Sequence, residues 1–153
     1  MATLAVQPTL PLATDGVALA HVLHRAGVTK VSAIRVTGPT TGPTAVLWLY
    51  RHGYERAAYV HANWVATMGS VDALLVPHAC GAQELFDLLH NAQCMREGAV
   101  LIVQTSPNGS AQGHDNVPDL LQPLGYRIEH CLSEKGRDIC IARFRGVDFK
   151  KAA

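Results

Sequence analysis

Four side chains follow apolar, β-branched runs and carry nitrogen or sulfur donors: His61, His78, Cys80 and His114. Imidazole and thiolate groups of this kind bind zinc or another transition metal when three or four converge. An imidazole also titrates near neutral pH, so His78 by itself could serve as a general base. The spacing imposes neither role. His78, in Pro77-His78-Ala79-Cys80-Gly81, reads first as a polar strand-end residue capping the next helix, and Cys80 is a thiol that a helix N-terminus could activate. His21, His24, His52 and His90 fall on helical stripes and read as exposed or packing residues. The segment Thr37 to Thr44 holds two glycines, Gly38 and Gly42. No lysine follows the second, which excludes a triphosphate-binding loop, and the third glycine of the dinucleotide fingerprint is absent. A tight strand-to-helix turn remains. Finally, a two-residue turn at Lys135-Gly136 would set Cys131 directly opposite Cys140 on adjacent strands. In a reducing compartment the two read as small apolar thiols.

These groups need a scaffold, and the composition bounds it. The 153 residues suit one domain with a real core. Apolar residues make up 48% and charged residues 16%, which excludes disorder. Thirteen Lys and Arg against twelve Asp and Glu give a net charge of +1, unlike a nucleic-acid binder, which needs clustered cations. No apolar run reaches the roughly 18 residues of a membrane span. The start, Met1 to Pro8, lacks the basic and apolar regions of a secretory signal, so a cytoplasmic protein is expected.

Residues 1–14 read as an arm, 15–146 as one α/β domain and 147–153 as a tail. Thr14-Asp15 offers a cap, Val17, Ala20, Val22, Leu23 and Ala26 recur at helical spacing, and Gly27 stops the helix. Lys30 to Val36 predicts a strand, the glycine turn follows, and Pro43 opens a helix closed by Gly53. Arg56 to His61 predicts the second strand of a βαβ unit. Val71 to Val76 and Ala99 to Gln104 predict buried parallel strands flanking a helix within Gly81 to Met95. A short helix is expected within Asp119 to Leu124, and Tyr126 to Leu132 with Asp138 to Phe144 predict a closing antiparallel hairpin. Trp48 is expected in the core, and Trp64 in core or interface packing unless a nucleotide stacks there. The expected architecture is α/β, with a mostly parallel sheet. Ligands of such sheets bind beyond the carboxyl ends of the strands, which points to 37–42, 61–64, 77–81 and 105–115.

The stretch Val31 to Thr44, continued to His52-Gly53-Tyr54, resembles the first motif of class I S-adenosylmethionine-dependent methyltransferases. Val71-Asp72-Ala73-Leu74-Leu75-Val76-Pro77 is similar to that family's fourth-strand motif, Arg96 to Val103 to its fifth-strand segment, and Leu124-Gly125-Tyr126-Arg127 with the hairpin to its last strands. The resemblance implies a Rossmann-like methyltransferase fold and S-adenosylmethionine as cofactor. The implied cofactor-binding residues are Thr37, Gly38, Thr40, Gly42, His61 and Asn63, and His78 falls where a catalytic group would sit. Three positions depart from the pattern: Val36 stands at the place of the usual acid after the first strand, Thr40 at the central glycine, and His61 at the acid that holds the ribose. The chain from His61 to Val71 is also too short for the family's third strand.

The expected function is a methyltransferase-like domain with a weakened or lost cofactor site, acting as a binding or interaction module on a small molecule or protein. The alternatives are an active small-molecule methyltransferase with an unusual site, a metal-binding protein using His61, His78, Cys80 and His114, and a nicotinamide-dependent enzyme. Without a third strand, Arg56 to His61 becomes a sheet edge, through which a homodimer is expected.

Overall fold

The computed structural model describes residues 12, 15–38, 42–60, 71–77, 82–91, 95–105, 120–134 and 137–146. Helix α1 spans Gly16–Arg25, capped by the Asp15 carboxylate, which accepts the Ala18 N–H at 3.2 Å. Arg25 occupies its last turn, where a cation interacts favourably with the carboxyl end of the helix dipole, and Gly27 turns the chain out at φ +77°. Strand β1 covers Ile34–Val36, shorter than the predicted Lys30 to Val36. The difference is local chemistry. The Ser32 hydroxyl accepts the Thr29 N–H and the Ser32 N–H donates to the Thr29 carbonyl, both at 3.0 Å, so residues 29–32 form a turn.

Helix α2, Gly42–Arg51, carries Pro43 in its first turn and leads to Gly53 at φ +91° and strand β2, Ala57–Tyr59. Trp48 is half-buried against the core, not within it. Its indole stacks on the His52 ring with centroids 4.0 Å apart. Strand β3, Val71–Val76, is followed by helix α3, Ala82–Asn91, and strand β4, Met95–Thr105. A 3-10 turn, Gln122–Leu124, precedes β5, Tyr126–Glu134, and β6, Arg137–Phe144.

β4 starts four residues before the predicted Ala99. Gly98, at φ +91°, lies in an irregularity where the register shifts between Val71↔Met95 and Ala73↔Val100. Asp72 sits beside that shift. Its carboxylate accepts the Ala33 N–H at 2.8 Å and pairs with Arg96, tying together β3, β4 and the residue preceding β1.

The strand order is β2-β1-β3-β4-β6-β5; the first four are parallel and β6 is antiparallel to both its neighbours. Ile34, Val36, Ala73, Leu75, Val100 and Ile102 point to the α1–α2 layer, and Leu74, Val76, Leu101 and Val103 to the α3 layer. The alternating residues of β3 and β4 are therefore buried on both faces, as the continuous apolar runs require. Among the described residues no strand lies beyond β2.

Candidate functional site

β1 connects through α2 to one side of the sheet, and β3 connects through α3 to the other. The strand order therefore reverses between β1 and β3, and the crevice at their carboxyl ends is where this architecture receives ligands. Thr37 follows β1 there and is 2% exposed; its N–H donates to the Leu75 carbonyl at 3.1 Å. Gly38 has φ +128°, a conformation that a side chain would strain. Its carbonyl accepts the Gly42 N–H at 3.1 Å, so that N–H is already used within the turn.

Gly42 is buried against an aromatic ring. A Cβ at Gly42 would lie 2.5 Å from Cε1 and 2.6 Å from Cδ1 of Tyr59, and 3.4 Å from the Thr37 carbonyl carbon. The Tyr59 ring thus occupies the face that the missing side chain leaves bare. The sequence expectation for Arg56 to His61, a strand at a sheet edge, assigns Tyr59 no role at the turn. Its place beside the turn follows from the pairing of β2 with β1, which sets Tyr59 in register with Val36.

Thr37, Gly38 and Gly42 therefore come together at the carboxyl end of β1. Thr40, His61, Asn63 and His78, and the four-residue metal set of His61, His78, Cys80 and His114, lie outside the described residues, as does Trp64. Among the described residues no three His, Cys, Asp or Glu side chains converge as a metal site.

Gln104 is a second residue missed from sequence. It is 1% exposed near the end of β4, and its Oε1 accepts the Leu12 N–H at 2.6 Å. Leu12, which the sequence placed in the arm, is fully buried in the core layer of α1 and α2.

No family model and no curated sequence matches this chain. Solved structures do. The ribosomal-protein methylase of Lactobacillus delbrueckii subsp. bulgaricus is similar at a TM-score of 0.59 and 11% identity, over 86% of this chain and 80% of that one. The Escherichia coli protein YhhF, described as a methyltransferase, gives 0.55 and 13% identity over 92% and 90%. The Haemonchus contortus phosphoethanolamine N-methyltransferase 2, in complex with S-adenosyl-L-methionine, gives 0.54 and 12% identity over 93% of this chain and 41% of that one.

This chain has the class I methyltransferase fold. Its six described strands keep that fold's parallel sheet, switch point and closing antiparallel hairpin. Among the described residues, the carboxyl ends of the parallel strands carry no acid that could hold a ribose. Val36, at the place of the usual acid, is fully buried, and Tyr59, Val60, Val76 and Pro77, which end the neighbouring strands, bring no carboxylate. No helix among the described residues is long and apolar enough to cross a membrane.

Proposed function

We propose that this methyltransferase-fold domain has a weakened S-adenosylmethionine site and works as a binding or interaction module. The observation that carries this reading is the Tyr59 ring against Gly42. Both glycines of the turn are accounted for by the protein itself, one by backbone conformation and one by packing. The ribose anchor supports it too. A carboxylate accepts two hydroxyl hydrogen bonds, and a neutral imidazole at His61 accepts one. Losing one charge-assisted bond and weakening the other removes roughly 3 kcal/mol, or about a hundredfold in affinity. Titration calorimetry with S-adenosylmethionine and S-adenosylhomocysteine tests the reading: no saturable heat is expected in the micromolar range, and micromolar binding overturns it.

The retained switch point and the left-handed Gly38 favour a second reading, an active small-molecule methyltransferase. In it the 37–42 turn holds the methionine part, His61 and Asn63 the ribose, and His78 takes the substrate proton. Methyl transfer to an existing nucleophile needs mainly alignment, so few side chains suffice. Absence of S-adenosylhomocysteine binding at millimolar concentration eliminates it.

The partner of the module is a second copy of this chain, joined through β2. Leu47 and Tyr50 on α2, the helix that leads into β2, are 55% and 49% exposed and supply apolar surface. Sedimentation should give a dimer that Leu47→Lys dissociates; a monomer at all concentrations rejects the pairing.

A further inference from the structure

β5 and β6 place Cys131 and Cys140 in direct cross-strand register, with their sulfurs 3.3 Å apart. The two thiols have opposite environments. Cys131 is exposed, and Cys140 is 5% exposed among Leu101, Val103 and Tyr126 of the α3 layer. β5 is the last strand of the sheet among the described residues. A disulfide needs its sulfurs at about 2.05 Å, so the pair must close by little more than 1 Å.

We propose that Cys131 and Cys140 form a redox modification site, a reversible cross-strand disulfide made by exchange with a small-molecule disulfide. The exposed Cys131 thiolate attacks one sulfur of the oxidant, forming a mixed disulfide and expelling one thiolate. Cys140 then gives up its proton to that thiolate and attacks Cys131 Sγ, and the second thiolate leaves with the proton first lost by Cys131. Two protein thiols are oxidised and one small disulfide is reduced to two thiols. The order follows from environment. Burial, then the hydrogen bond to Cys131, pushes the Cys140 thiol up to about 12, so Cys140 stays protonated until a sulfur electrophile stands beside it.

The sequence makes the product easy to read, because trypsin separates the two cysteines into Ile128–Lys135 and Asp138–Arg143. The reduced full-length chain is incubated with oxidised glutathione, quenched in acid, alkylated, digested and analysed by mass spectrometry. The expected species is the two peptides linked, lighter by two hydrogens and restored by dithiothreitol. Cys140→Ser should stop the reaction at a lasting glutathione adduct on Cys131, and Cys131→Ser should leave Cys140 unmodified in the folded protein. The proposal is overturned if both cysteines of the wild-type chain are alkylated as thiols at saturating oxidant. It is equally overturned if the glutathione adduct on Cys131 persists in the wild type, or if either cysteine links instead to Cys80 or Cys94.

Discussion

Gly42→Ala separates a glycine kept for packing from a glycine kept for a ligand. The added methyl would sit 2.5 Å from the Tyr59 ring and 3.4 Å from the Thr37 backbone, so ring or helix must shift. Overpacking of this kind costs about 1–3 kcal/mol. Replacing glycine by alanine in a helix returns up to about 1 kcal/mol, and less at its first residue. The net expectation is a loss of about 1–2 kcal/mol. With a urea slope of about 2 kcal/mol per molar, the midpoint falls by about 0.5–1 M. Tyr59→Ala alone loses half-buried ring contacts, and the double variant Gly42→Ala/Tyr59→Ala should be no less stable than Tyr59→Ala. The coupling energy in the cycle is then at least about 1 kcal/mol, as for residues in contact. Equal urea midpoints for Gly42→Ala and wild type, or strict additivity in the cycle, would refute the packing account and return Gly42 to a ligand-facing role.

Three further outcomes follow from other contacts. The Arg143 Nε hydrogen-bonds both oxygens of Glu129 at 3.0 Å, and this holds the Glu129 carboxyl below its ordinary 4.5. Its stabilisation is therefore complete above that value and lost as pH falls through the lower folded-state value. Thermal melts from pH 6 downward, on the order of pH 3 at the end, should show Arg143→Gln losing less stability on acidification than wild type; parallel curves reject the linkage. Gly125 adopts φ +93°, and a Cβ there would lie 3.0 Å from the Gly146 carbonyl carbon, so Gly125→Ala should cost about 1–2 kcal/mol and lower Tm by about 3–6 °C, with an unchanged Tm counting against it. Gln104→Ala leaves the Leu12 N–H without its acceptor, a loss of about 1–3 kcal/mol, and hydrogen exchange at Leu12 should accelerate; unchanged protection would show that Gln104 does not hold this segment.

Local chemistry was legible where the interacting residues are close in the chain. Asp15 caps α1 and Gly27 ends it as the residue types require. The opposition of Cys131 and Cys140 follows from counting out from the hairpin turn, and it survives because the register shift between Ile128 and His130 lies beyond the pair. The early start of β4 was not legible, since Gly98 looks like a strand boundary until Asp72 from β3 binds Arg96 across the irregularity. Of the candidate site, strand-end logic points to the segment 37–42, and the structure places Thr37, Gly38 and Gly42 together at the carboxyl end of β1. Their neighbour Tyr59 was not legible, because its approach depends on the pairing of β2 with β1.

By itself the sequence determined the alternation of strands and helices, the apolar runs that demand a sheet covered on both faces, the glycine turn and the absence of an acid at Val36. Periodicity, capping and residue chemistry act over a few positions, so they are readable along the chain. Only the tertiary structure decided what packs against Gly42, that Leu12 belongs to the core, and that one thiol of the hairpin is buried while its partner meets solvent. Those outcomes depend on groups brought together from distant segments or on which layers cover each strand, and burial and steric contact exist only once the layers have closed.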